Sequence, residues 1–333
     1  METIHLQKST EKLSIRNGQL IHSDGERELD RYPVCATGQI AVYGNGQITT
    51  QAVKECLKEG IRINYFTMWG KHLGRLEPDH PKNIRRRLEQ YRLYLDPVRR
   101  VKWVRSLLTG KLQGELVELR RLKEQGYDIA YHAIRKELKN GQKRLERSSN
   151  LAEMRGIEGN CARKYYGIFE HVLPAGVKWG GRKYHPAGDA VNAVLSLIYS
   201  LTLQDIRKEL ENRSLDPHCG FLHEPGYGGA GLDYDLLELF RATWCDHTAI
   251  RLMNDAEEVR SYVKKQRRGS EGLRLPAEAA ERIVRELREK REKKRKEQAM
   301  SFSEQSEWAA EATLAGLTRG SSEPDYRKLH PER

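Results

Sequence analysis

One break in hydrophobic period constrains this chain more than any other feature, and it falls at Pro78-Asp79-His80-Pro81. Upstream, apolar residues come in short runs: Ile4–Leu6, Leu13–Ile15, Leu20–His22, Leu29–Tyr32 and Ile40–Val42. Asn17-Gly18, Asp24-Gly25 and Gly44-Asn45-Gly46 separate them with turn chemistry, so the runs read as strands. Thr50 is placed to cap a short helix through Lys58, Gly60 to end it, and Ile61–Thr67 and His72–Leu76 follow as strands. Downstream, apolar residues recur at three and four, as in Ile84, Leu88, Tyr91, Leu95 and in Val101, Val104, Leu107, Leu108. Both sets predict basic helices with a single apolar face. After Pro186, with Asp189 near its start, a further helix would bury Val191, Val194, Leu195, Ile198 and Leu201. Ala279–Gln298 is lined with i,i+4 pairs such as Glu281/Arg285 and Glu286/Lys290, the pattern of an exposed helix. The expected fold class is α+β, with a small N-terminal β-rich domain over 1–80 and a larger all-α domain over 81–333.

Charge is as unevenly spread as period. The 333 residues carry a formal charge of +12. Met1–Pro81 holds 10 basic and 10 acidic residues, whereas Lys82–Arg147 holds 19 basic against 8 acidic. A positive field concentrated in one block attracts polyanions, nucleic acid first among them, although a solvated helix surface has the same composition. The five cysteines, Cys35, Cys56, Cys161, Cys219 and Cys245, never form a C-x-x-C pair. That argues against a disulfide scaffold or a cysteine-paired zinc knuckle. With no apolar leader at the N-terminus and no apolar run near ~20 residues, a cytoplasmic protein with no membrane partner is expected.

Three places carry candidate chemistry. Gly156-Ile157-Glu158-Gly159 sets a carboxylate between glycines at the entry to a predicted helix, where a ligand can approach closely or the acid can serve the helix dipole. In Leu215-Asp216-Pro217-His218-Cys219-Gly220-Phe221-Leu222-His223-Glu224, His223 follows an apolar pair and precedes a turn. In Asp233-Tyr234-Asp235-Leu236-Leu237-Glu238-Leu239-Phe240-Arg241, Asp235 and Glu238 would share a helix face, with Arg241 placed for an ion pair to Glu238. Carboxylates beside a histidine suit a hard or borderline divalent ion. The glycine-rich stretch Pro225–Gly231 lacks the Gly-Lys-Ser/Thr of a nucleotide loop and reads as a turn between His223 and the acidic pair.

In order along the chain, Val42-Tyr43-Gly44-Asn45-Gly46, Ile48-Thr49-Thr50-Gln51-Ala52, Leu73-Gly74-Arg75-Leu76, Glu158–Tyr166, Asp189–Thr202, Leu215–His223 and Asp233–Arg241 resemble the CRISPR-associated Cas-one family over almost the full length. The resemblance implies a metal-dependent DNA endonuclease and integrase that inserts spacers into a CRISPR array, an antiviral defence. It implies catalytic metal ligands Glu158, His223 and Glu238, Asp235 as a supporting or additional ligand, and Mn²⁺ or Mg²⁺ as the ion. It also implies double-stranded DNA (prespacer and repeat) as substrate, a homodimer, and two such dimers on a dimer of the small Cas-two protein. Arg182, Lys183 and Arg241 are expected among the DNA contacts. Two departures stand out: Ala187-Gly188 where the family often has a further proline, and the glycine content of Pro225–Gly231. Read from the residues alone, a non-catalytic nucleic-acid-binding protein and a metal-dependent nuclease of DNA repair or recombination stay open.

Overall fold

The structure is a computed structural model that describes residues 2–68, 72–77, 83–183, 188–226, 229–255, 275–291, 293, 300–317 and 323–331. The expected boundary at Pro78–Pro81, Pro186 and Ala187, part of the Pro225–Gly231 loop and the far end of the Ala279–Gln298 helix lie outside the described residues.

Two compact units form, Met1–Pro81 with Leu275–Arg288, and Lys82–Arg274 with Glu289–Arg333. The first therefore takes in a helical segment that the sequence reading assigns to the helical domain. It contains β1 (Glu2–Leu6), β2 (Glu11–Arg16), β3 (Gln19–Asp24), β4 (Arg27–Pro33), β5 (Thr37–Tyr43), β6 (Gln47–Ile48), α1 (Thr50–Lys58), β7 (Arg62–Phe66) and β8 (His72–Leu76). These make two four-stranded sheets, ordered β1-β5-β7-β8 and β4-β3-β2-β6. In the first sheet β5 lies parallel to both β1 and β7. Its residues are buried along their whole length, as a strand covered on both faces requires. The second sheet is built on antiparallel hairpins, with Asn17 and Gly18 both at positive φ turning β2 into β3. Ile4, Leu6, Leu13, Leu20, Ile40, Val42 and Ile63 share one core with Ala52 and Cys56 of α1. The cap of α1 is Thr49, whose side chain accepts from the Ala52 N–H, so Thr50 is the first helical residue.

The second unit is helical: α2 (Ile84–Leu95), α3 (Pro97–Glu124), α4 (Tyr131–Arg147), α5 (Leu151–Tyr166), α6 (Phe169–Val172), α7 (Ala190–Asn212), α8 (Leu232–Leu237) and α9 (His247–Asp255). A π-helical turn, Arg241–Asp246, leads into α9. Further on, α10 (Ala277–Arg291) begins in the first unit, and α11 (Phe302–Leu317) belongs to the second. Among the described residues, most of the expected apolar face of α2 is exposed, Ile84 59% and Leu95 75%, while Tyr91 is half-buried and donates to Asp216. The buried side of α2 instead carries Leu93 and Gln90, and the Gln90 amide holds the Asp216 and Cys219 carbonyls at 2.8 and 3.0 Å.

The central helix α3 overturns a second expectation, that of a basic surface helix. Asp96 caps it by accepting from the Val98 and Arg99 N–H groups, and Pro97 opens it. From Trp103 to Leu122 it is buried nearly all round, including Lys111, Glu115, Glu118 and Arg121. Part of the basic block is therefore interior. The chain's last described segment closes over α3 at Gly110, where an added Cβ would lie 2.6 Å from Cβ of Tyr326. His330 then donates from Nε2 to the Leu239 carbonyl at 2.8 Å, while its Nδ1 is buried without a partner. No described helix is long and apolar enough to cross a membrane.

Burial pushes the His330 pKa down to about 4, and Arg121 adds to that, against the opposing hydrogen bond to Leu239. Because the folded value lies below the unfolded one, its contribution to stability is present above about pH 6.5 and is lost as pH falls toward 4. His330→Gln keeps a donor but cannot titrate. Denaturant unfolding between pH 7 and 4 should show wild type losing up to ~3 kcal/mol more stability than this variant. Parallel losses would contradict the buried neutral histidine.

Candidate active site

Three elements of the helical unit converge on one cavity of about 710 Å³. Glu158 and Gly159 reach it from α5, His223 and Leu222 from the loop before α8, and Glu238 and Arg241 from the end of α8 and the π turn. Arg155, Arg163, Arg182, Tyr166 and Trp179 complete much of the wall. Glu158 is not at a helix entry: Asn150 caps α5 and Glu153 is its first-turn acid, so the dipole role falls to Glu153. An added Cβ at Gly156 or Gly159 would meet nothing within 4 Å, so neither glycine is required there by a close backbone approach.

His223 is held from several sides. Asp235 is fully buried, and its carboxylate accepts from the backbone N–H groups of Phe221 (2.5 Å), Leu222 (2.9 Å) and His223 (3.0 Å). It also pairs with His223 Nδ1 at 2.6 Å. Asp235 thus spends both oxygens on the loop and is not among the residues lining the cavity, a placement in which it supports His223 from behind. Arg100 donates to the Phe221 carbonyl and Arg155 to that of Leu222, each at 2.7 Å, and both reach Glu224. Behind the loop, Gly220 and Gly231 let two backbones touch. An added Cβ at Gly220 would sit 2.7 Å from the Gly231 carbonyl carbon and from the His223 oxygen. That contact is the physical reason for glycine in Leu215–His223.

Between the two glutamates lies a residue the sequence reading passed over. The Lys111 ammonium contacts Glu158 Oε1 and lies 2.7 Å from Glu238 Oε2, with the side chain 3% exposed. Arg241 pairs with Glu238 Oε1 at 2.6 Å, so the ion pair foreseen for Glu238 and its place at the cavity coexist. A signal was available: Lys111 and Glu115 continue at i+3 and i+4 the stripe of Val104, Leu107 and Leu108, positions that face the interior. Arg182 lines the cavity with its guanidinium 4.8 Å above the Tyr199 ring, and Arg241 stands 5.0 Å over the same ring. Lys183 is exposed and is not part of the wall.

The electrostatics follow from this packing. Burial alone would lower Lys111, but Glu238, then Glu158 and Glu115, hold its pKa above the usual lysine value. Glu158 falls below the usual carboxylate value because Lys111 outweighs its burial, while the deeper Glu238 rises through burial. Glu115 is pushed up to about 8 by burial, with Lys111 opposing and Glu158 adding. His223 is raised: burial acts against it, but the Asp235 bond and charge prevail.

The donor set of Glu158, Glu238 and His223 matches what hard or borderline divalent cations take. Cys161 and Cys219 offer no thiolate nearby, since burial pushes each thiol up to about 12. Among the described residues no three His, Cys, Asp or Glu groups stand as a ready metal cluster. The positive charge between Glu158 and Glu238 is that of Lys111.

A fold of this architecture around such a cavity has known counterparts. The sequence profile of the family described as CRISPR associated protein Cas1 matches residues 4–289, and the chain belongs to that family. It is 32% identical over 231 residues to CRISPR-associated endonuclease Cas1 3 of Thermus thermophilus, covering 69% of this chain and 67% of the relative. To CRISPR-associated endonuclease Cas1 of Mycobacterium tuberculosis it is 30% identical over 271 residues, 81% and 79% of the two chains. Among solved structures, a casposase bound to integration product superposes with TM-score 0.82 at 22% identity, covering 100% of this chain and 95% of that one. A CAS1 protein from Thermotoga maritima gives 0.79 at 22% identity over 97% and 100%. A chain of a Cas6-RT-Cas1–Cas2 complex gives 0.77 at 18% identity over 95% and 34%.

Asp235→Asn should return the His223 pKa toward the ordinary ~6.5, read by NMR titration of the imidazole, and cost ~2 kcal/mol or more in denaturant unfolding. Since the folded His223 value is raised, the histidine part of that cost is full below about pH 6.5 and fades as pH climbs through the raised value. An unchanged imidazole titration would show that Asp235 does not set it.

Proposed function

We propose that this chain is a metal-dependent DNA endonuclease and integrase that inserts new spacers into a CRISPR array, with Glu158, His223 and Glu238 as its metal ligands. The observation that carries the reading is that these three side chains share one cavity with Arg155, Arg163, Arg182 and Arg241. Two carboxylates, an imidazole and no thiolate favour Mn²⁺ or Mg²⁺ over zinc. Bound there, a divalent ion supplies charge neutralisation at a phosphate oxygen and activation of an attacking hydroxyl or water.

The protein's own groups do the rest. With Nδ1 of His223 on Asp235, Nε2 is the ring nitrogen left for a ligand, and the carboxylate fixes tautomer and ring together. Arg182 and Arg241, stacked on Tyr199, offer guanidinium donors to the phosphates flanking the reacting one. In strand transfer the 3′-hydroxyl oxygen of the incoming DNA bonds to phosphorus, loses its proton, and the 3′-oxygen of the cut strand leaves. Water takes the attacker's place in nuclease action. Neither route needs a protein nucleophile.

Names of relatives and titles of structural neighbours support the wider assembly: endonuclease for the two bacterial relatives, an integration product for the casposase, Cas2 for the complex. The proposal accordingly includes double-stranded DNA, a homodimer, and two such dimers on a Cas2 dimer. Exposed Arg135, Lys136, Lys143, Arg144 and Arg147 on α4 supply positive surface for the backbone of a duplex, so binding should weaken steeply with salt.

The test is strand transfer and cleavage of duplex DNA bearing a free 3′-hydroxyl, with Mn²⁺ and the Cas2 partner. Glu158→Gln and His223→Ala should each lower the rate by roughly 100-fold or more, with thermal midpoints within a few degrees of wild type. A folded Glu158→Gln protein working at the wild-type rate would sink the metal-site reading.

A further inference from the structure

The two glutamates of the site cannot be emptied of positive charge as they stand. Glu238 gives one oxygen to Arg241 and the other to Lys111, and Lys111 also touches Glu158. Lys111 bridges both carboxylates. Its ammonium therefore occupies the position that an ion shared by Glu158 and Glu238 would need, and two cations cannot share those oxygens without strong repulsion. A lysine carries its charge on a flexible four-carbon stem, whereas Arg241 is fixed by its fork and its stacking on Tyr199.

A second acceptor stands ready one turn along. Glu115 follows Lys111 at i+4 on the buried side of α3, and its Oε2 is buried without a hydrogen-bond partner. A buried oxygen with no donor is unusual in a native interior and asks for one. A swing of the Lys111 stem toward Glu115 would fill it and clear the space between Glu158 and Glu238.

We propose that Lys111 is an internal stand-in for the metal: it holds Glu158 and Glu238 together until a divalent ion displaces it, and Glu115 receives it on displacement. The inference rests on the reading of Glu158, His223 and Glu238 as ligands and deepens it. Lys111 is then a positioning residue that keeps the empty site assembled and sets how strongly a cation must compete to enter. A monovalent ion gains too little from the two carboxylates to replace an ammonium already paired with them, so the device selects for divalent charge.

Calorimetric titration of the purified full chain with Mn²⁺, with circular dichroism melts as the folding check, separates the possibilities. Wild type should bind in the cavity, and Glu238→Gln should abolish that binding. Lys111→Met and Lys111→Gln should bind Mn²⁺ about tenfold more tightly or better, because the competing cation is gone. Glu115→Gln keeps Lys111 between the carboxylates but cannot ionise as the ammonium arrives, and should weaken binding about fivefold. This opposite sign keeps the test decisive if the lysine variants do not fold, and a merely structural role would weaken binding in all three. Lysine variants that bind Mn²⁺ no more tightly than wild type, or a Glu115→Gln protein that binds as well as wild type, overturn the displacement while Glu238→Gln still abolishes binding. If Glu238→Gln binds like wild type, the metal reading falls and takes the displacement with it.

Discussion

Two carboxylates can face one cavity beneath a protein surface only if positive charge is held between them, and here that charge is Lys111. Without it, Glu158 and Glu238 would repel each other in a medium that screens poorly, and one of them would take a proton. The demand for a buried lysine explains much of the helical unit. Its carrier, α3, is wrapped almost entirely, so the other helices and the C-terminal segment must pack tightly around it. Small residues make that possible: an added Cβ at Gly110 would strike Tyr326, and one at Gly141 of α4 would meet the Cys161 sulfur.

The same logic extends outward in layers. Asp235, buried beneath the site, exchanges four hydrogen bonds with one short loop and so decides where the His223 ring stands. Arg100 and Arg155 grip that loop from the other side. Beyond Glu238 the chain takes a π-helical turn, a form found mostly at functional sites, which leaves the Leu239 carbonyl for His330 to satisfy. The last described residues lie beyond the part of the chain matched by the family profile, yet they brace the backbone next to Glu238.

What could be read from sequence follows what is local. The division into a β-rich part and a helical part is written in hydrophobic period and turn residues, and the strands from Ile4 to Leu76 follow those runs closely. Glu158, His223 and Glu238 stood out through flanking glycines, an apolar pair and acidic spacing, and the structure brings all three to one cavity. Less legible were features decided by distant partners. Lys111 looked like one more member of a basic block, because a buried lysine is identified by the acids it meets, and those lie 47 and 127 positions away. Asp235 and Glu238 looked equivalent on one helix face, but a backbone turn behind one and a cavity before the other separate their roles. On α2 the apolar spacing was genuine, yet Gln90 and Leu93 took the inward side because Gln90 fits the carbonyls of the Asp216–Cys219 loop.

As proposed, Glu158, His223 and Glu238 form one divalent-metal site whose empty state is held by Lys111. Crystals grown with Mn²⁺ and measured at the manganese absorption edge test it most directly. The account predicts one anomalous peak in the cavity, bonded to both carboxylates and to Nε2 of His223, with the Lys111 ammonium moved to Glu115. No peak at the three side chains would contradict the site, and a peak there with Lys111 still bridging the two glutamates would contradict the displacement.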